Sequence, residues 1–320
     1  MPSLHTQQPG IFMNVCGAKW SFINDFYLRE AWRCGPFHLS WLIGLYWSPK
    51  LLAENAMKEF ILFAGFMLAA ASASHAAVQG REVTYSANGT TLKGYIAYDD
   101  ATKGKRPGIL VVHEWWGHNE YARKRARMLA EHGYTALALD MYGDGKEAHH
   151  PDDAGKFASE VSKNAALARA RFEAALNLLK KEKTVDAASI GAIGYCFGGS
   201  VALNMARAGE PLKAVASFHG GLSTQQPAEQ GKVKARIASF TGEDDPMIPA
   251  AQVAAFRQEM EKAGVNYKVV TYPGAKHAFT NPAADEYGKK FNMPLAYNAA
   301  ADQASWEAGL AFLAEAFKAK

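Results

Sequence analysis

Gly194-Tyr195-Cys196-Phe197-Gly198-Gly199 lies between two apolar runs. Ala188 to Ile193 before it has strand character, and Ser200 to Ala208 after it has helical character. A small-x-nucleophile-x-Gly turn joining a strand to a helix is a nucleophile elbow. The turn is so tight that only glycine fits beside the nucleophile. It leaves that side chain exposed at the carboxyl end of a strand, with a helix N-terminus behind it. Cysteine occupies the nucleophile position here, where serine is the common choice.

Outward from the elbow, strand and helix patterns alternate. Glu82 to Tyr85 and Thr91 to Tyr98 read as strands joined across Asn88-Gly89, a hairpin turn signal. Gly108 to His113 is a continuous apolar run, as expected of a buried central strand. Asn119 to His132 reads as a helix closed by Gly133, and Tyr134 to Asp140 as the next strand. Asp152 to Lys180 reads as one long helical stretch, with Asp152 as its N-cap. Strands follow at Ala214 to Phe218, Ala235 to Thr241 and Tyr267 to Tyr272, and helices at Ala250 to Ala263 and Ala299 to Ala319. This alternation predicts an α/β fold, a mainly parallel central sheet with helices on both faces.

The chain has 320 residues, enough for one large domain plus N-terminal material. The net charge of +4 is small and the basic residues are scattered, so no nucleic-acid partner is expected. Only Cys196 of the three cysteines falls in the domain, and no C-x-x-C pair occurs, which argues against disulfide, redox-pair and zinc-ribbon roles. His149-His150 with Asp152 and Asp153 reads as a solvated helix entry, and no metal is expected.

Met57-Lys58-Glu59, the apolar run Phe60 to Ala73 and the small-residue segment through Ala76 fit a secretory signal peptide at 57–76. The run is short for a membrane span. A periplasmic or secreted domain at 77–320 is therefore expected, monomeric and without stable membrane insertion after cleavage. An uncleaved anchor is the alternative, and the cytoplasm is expected if the signal reading fails. Residues 1–56, with aromatic clusters from Phe37 to Trp47, form an extension of uncertain role, and a true start at Met57 would explain it.

In a parallel sheet, functional residues gather past the carboxyl ends of the strands. Cys196 stands at such an end as candidate nucleophile, with a buried structural cysteine as the bland alternative. His277, in Tyr272-Pro273-Gly274-Ala275-Lys276-His277, is the candidate base, otherwise a surface loop histidine. Asp245, in Gly242-Glu243-Asp244-Asp245-Pro246, is the candidate orienting acid; Asp244 and Glu243 compete with it, and a turn-forming role is the alternative. Glu114, in His113-Glu114-Trp115-Trp116-Gly117, is placed to contact the nucleophile and hold it as a thiol. The backbone N–H groups of Trp115 and Phe197 are the expected oxyanion donors. His118, His219 and Lys276 are further candidates for the pocket lining.

From Val83 to Phe317 these segments resemble the dienelactone hydrolase family of α/β-hydrolases. The resemblance rests on His113 to Gly117, Asp140-Met141-Tyr142, Gly191 to Gly199, Gly242 to Pro249, Gly274 to Phe279 and Ala300 to Phe312. It implies a Cys-His-Asp triad of Cys196, His277 and Asp245, with Glu114 as a fourth member. It also implies hydrolysis of a small-molecule lactone or activated ester without a metal or organic cofactor. One departure concerns the arginines with which founding members bind a substrate carboxylate. Here Gly143-Asp144-Gly145 follows Tyr142, and Asn281 stands four residues past His277. This weakens the implication for dienelactone itself and leaves the lactone or ester class. A broad esterase or thioesterase on the same fold, and a thiol-based sensing or binding protein, are the competing readings.

Overall fold

The structure, a computed structural model, describes residues 78–318. The expected extension at 1–56 and signal segment at 57–76, with Cys16 and Cys34, lie outside the described residues.

The chain runs β1 (Val78–Ala87), β2 (Thr90–Asp99), β3 (Arg106–Val112), α1 (Glu120–Glu131), β4 (Thr135–Leu139), α2 (Pro151–Ser162), α3 (Ala165–Lys180) and β5 (Val185–Tyr195). It continues with α4 (Phe197–Arg207), β6 (Ala214–Phe218), β7 (Arg236–Gly242), α5 (Ala250–Lys262), β8 (Tyr267–Tyr272), α6 (Ala284–Phe291) and α7 (Ala299–Lys318). The eight strands form one sheet in the order β1-β2-β4-β3-β5-β6-β7-β8. β1 and β2 pair antiparallel across the Asn88-Gly89 turn, where both residues take positive φ. β2 meets β4 antiparallel, and from β4 to β8 every neighbouring pair is parallel.

The central strands are buried on both faces, and alternate residues feed two separate cores. Leu110 and Val112 of β3 join Leu137, Leu139 and Leu203 on one face. Ile109 and Val111 join Ile193, Phe218, Phe240 and Phe312 on the other. Each such side chain contributes about 1.5–3 kcal/mol when fully removed from water. This two-sided burial explains why these strands read as unbroken apolar runs instead of alternating ones.

Two helical expectations change. The stretch Asp152 to Lys180 is two helices, broken at Lys163 and Asn164. Asn164 caps the second by accepting a hydrogen bond from the Leu167 N–H, a role for which asparagine outcompetes continuation of the helix. The N-cap of α2 is His150, not Asp152. The His150 ring accepts from the Asp152 N–H, and Pro151 occupies the first helical position. A further helix, α6, falls where the sequence pattern predicts none, although Asp285 and Glu286 in its first turn, Lys289 and Lys290 in its last and a left-handed Asn292 cap mark a helix.

β3 lies between β4 and β5, so the chain leaves it toward one side and returns on the other. In open parallel sheets, the crevice at such a reversal is where ligands bind. The loops that follow β3 and β5 carry Glu114, Trp115 and Cys196 to this crevice.

Candidate active site

Cys196 joins β5 to α4 with φ 51° and ψ −117°, a conformation that costs a non-glycine residue energy. The neighbours that force it are glycines for a steric reason. A Cβ on Gly194 would stand 2.1 Å from the Gly198 carbonyl oxygen. One on Gly198 would stand 2.3 Å from the Val112 carbonyl oxygen. His219 and Ala278, flanking the same site, also take positive φ, so three of the six described non-glycine residues with positive φ gather here. Such clustering of strained backbone is a mark of functional sites.

The thiol Sγ of Cys196 lies 3.1 Å from Nε2 of His277, and His277 Nδ1 lies 2.8 Å from Oδ2 of Asp245. The other oxygen, Oδ1, accepts from the Met247 N–H at 2.8 Å, which fixes the carboxylate's orientation. Of the three acids that compete in the sequence, Asp245 is buried, whereas Glu243 and Asp244 are exposed. Burial of His277 by itself favours the neutral ring. The negative charge available at Cys196 and the hydrogen bond to Asp245 outweigh it and raise the histidine's pKa to about 10.

Trp115, Phe197, Met247, Ile248, Met293 and Leu295 line a cavity of about 270 Å³ that opens on Cys196 and His277. Phe197 is the first residue of α4, so its N–H belongs to the unpaired donors of a helix start. Trp115 is held from behind: Tyr142 donates its hydroxyl to the Trp115 carbonyl at 2.9 Å. Tyr142 is in turn set by Asp140, whose carboxylate accepts from the N–H groups of Tyr142, Gly143, Gly145 and Lys93. A hollow of about 300 Å³ around Lys103, Lys105 and Lys183 lies where β3 and β5 begin, at the end of the sheet away from this chemistry.

The family model described as the dienelactone hydrolase family matches residues 92–317. The chain belongs to the dienelactone hydrolase family. A putative carboxymethylenebutenolidase of Aquifex aeolicus is 31% identical, over 65% of this chain and 90% of the relative. Protein usf of Aquifex pyrophilus is 29% identical over 74% and 98%. Among solved structures, a dienelactone hydrolase-like promiscuous phosphotriesterase from metagenomic libraries superposes with a TM-score of 0.70 at 34% identity. That match covers 75% of this chain and 99% of the other. The chain is a dienelactone hydrolase-like hydrolase with the α/β-hydrolase fold.

In this hydrolase, Glu114 does not meet Cys196 in the way the sequence suggests. Its Oε2 accepts from the side-chain amide of Asn281 at 2.6 Å, its Oε1 has no partner among the described residues, and the thiol faces His277 instead. Asn281 leaves a buried carboxylate paired with a neutral amide. Burial therefore raises the Glu114 pKa from 4.5 to about 7, and the amide only partly offsets that.

A pH-dependent stability follows from this shift. The neutral Glu114 carboxyl is favoured in the fold, so its stabilising contribution is complete below about pH 4.5 and is lost as the pH rises through 7. Glu114→Gln stays neutral throughout. Its unfolding free energy is expected to match the parent near pH 4.5 and to exceed it by up to about 3 kcal/mol near pH 8. Denaturant titrations at the two pH values check this, and a gap that does not widen with pH would rule out the burial argument.

None of the three further pocket candidates lines the cavity. Lys276 is exposed. His118 is buried with Nε2 3.0 Å from the Ala138 carbonyl. His219 lies behind Cys196: its Nδ1 accepts from the Cys196 N–H at 3.1 Å, so Nε2 carries the proton and donates to Thr280 Oγ1 at 2.7 Å. Burial holds this ring neutral, well below the usual histidine range. Thr280 continues to the Tyr121 hydroxyl, and its carbonyl accepts from Arg125, which also pairs with Asp302. The network ties the elbow to the loop bearing His277. Nothing in the local sequence signals it, because its members come from five separate segments.

Proposed function

We propose that the chain hydrolyses lactones or activated carboxylic esters through Cys196, His277 and Asp245, with Glu114 as a proton-holding neighbour. The observation that carries this reading is the unbroken line from Sγ through the His277 ring to Asp245, opening on a mainly apolar cavity.

His277 takes the Cys196 proton, and the thiolate attacks the acyl carbon, forming a C–S bond. The carbonyl oxygen takes the displaced electron pair, and the N–H groups of Phe197 and Trp115 receive it. Collapse breaks the C–O bond, and His277 returns the proton to the leaving alkoxide, giving a thioester. Water then gives a proton to His277 and attacks the same carbon. Collapse of this second intermediate breaks the C–S bond, the carboxylic acid leaves, and His277 returns the proton to the Cys196 thiolate. Asp245 keeps the imidazolium oriented through both halves. Glu114, near the midpoint of its titration at physiological pH, supports the histidine's positive charge when ionised.

Incubation of the full chain with p-nitrophenyl acetate is expected to release nitrophenolate catalytically. Acid quenching during turnover is expected to show one acetyl group on the peptide containing Cys196. Turnover with no acyl group at that peptide would overturn the thioester route. A reactive thiol without any ester turnover would favour the sensing alternative.

A further inference from the structure

No lysine or arginine lines the cavity above Cys196, and its one cationic group, the His277 ring, is already engaged by Asp245 and Cys196. Its walls are Trp115, Phe197, Met247, Ile248, Met293 and Leu295; the Ser200 hydroxyl is its other polar side chain beyond the nucleophile and His277. The buried guanidinium groups of the domain are committed elsewhere. Arg125 pairs with Asp302 and Arg207 with Glu259, while Arg171 donates to the Met141 carbonyl and Arg106 to the carbonyls of Asp99 and Thr102. A further carboxyl near His277, Glu114, is held by an uncharged amide. A substrate carboxylate entering here would lose its water against methionine, leucine and aromatic carbon, and the one cation it would meet, His277, is already balanced by Asp245 and Cys196. The volume, about 270 Å³, is at the low end for small-molecule sites, roughly 300–1,000 Å³.

Resting on the hydrolase reading above, we propose that this site takes small, uncharged esters or lactones with an apolar acyl part, and that it rejects acyl groups carrying a carboxylate. Of the lining residues Met247 is 40% exposed, whereas Met293 and Leu295, following α6, are half-buried and buried. Methionine's unbranched, polarizable side chain adapts to differing apolar shapes. The walls therefore select by charge more than by outline.

The test compares two esters with one leaving group and one chain length, 4-nitrophenyl valerate and mono-4-nitrophenyl glutarate, each rate taken above its uncatalysed background. For the full chain, kcat/KM on the valerate is expected to exceed that on the glutarate by at least about 100-fold. Met247→Arg supplies the missing cation. It is expected to narrow that ratio by about 10-fold or more through a rise on the glutarate. A ratio within a few-fold of unity, or inverted, overturns the proposal. A ratio unchanged by Met247→Arg overturns the absence of an uncommitted cation as its cause. Failure on both esters, with no acyl group on Cys196, would instead sink the underlying hydrolase reading.

Discussion

Cys196→Ala is expected to lower kcat/KM on p-nitrophenyl acetate by at least about 10⁴-fold while leaving the fold intact. The size follows from the proposed role: removing a covalent nucleophile leaves only binding and oxyanion stabilisation, and losses of about 10⁴–10⁶ are usual. The intact fold follows from the geometry. The Cys196 side chain is partly exposed toward the cavity, so its sulfur leaves no sealed void. Its backbone hydrogen bonds to Phe218 and His219 do not involve the side chain. Alanine tolerates the positive φ about as poorly as cysteine, so the strain is carried over unchanged. Circular dichroism and thermal unfolding check the fold, and the ester assay checks the chemistry. A variant retaining a tenth of parental activity would remove Cys196 from the reaction.

Gly198→Ala is expected to have the largest effect on stability, about 3 kcal/mol or more. The added carbon would stand 2.3 Å from the Val112 carbonyl oxygen and 2.5 Å from that of His113. Both are backbone atoms at the end of β3, a strand hydrogen-bonded on both sides, so neither can swing away as a side-chain tip would. α4 would have to retreat from the sheet, taking Phe197 and the elbow with it. Gly155→Ala is the matching control. Gly155 sits within α2, and beyond the helix's own backbone nothing lies within 4 Å of where the added methyl would stand. Alanine there is expected to stabilise by about 0.5–1 kcal/mol. Equal denaturant midpoints for the two variants would show that close packing at the elbow is not what demands glycine.

Much of the architecture is legible in short-range patterns. The Asn88-Gly89 hairpin, the apolar run of β3 and the elbow at Cys196 each occupy a few consecutive residues. Their signals, positive-φ residues at a turn, two-sided burial and glycines beside a nucleophile, are local. The helices after β4 are harder to read, because Phe157, Val161, Ala168, Phe172 and Leu179 keep one helical period across the break at Asn164. The capping hydrogen bond that ends the pattern competes with continuation on nearly equal terms. α6 is eight residues long and draws its packing from Trp116 against Tyr287 and Phe291. A helix that short is held by tertiary contact more than by its own propensity.

The strand and helix alternation, the cysteine at the elbow, and the chain order of Cys196, Asp245 and His277 are all set along the chain, because each depends on periodicity or spacing. The choice among Glu243, Asp244 and Asp245 is made in three dimensions, since it rests on which carboxyl is buried against His277. The same is true of the pairing of Glu114 with Asn281, 167 residues away, and of His219, which supports the elbow from behind instead of lining the cavity. A buried polar group must find its partner wherever the fold places one, and desolvation makes that choice costly to leave unmade.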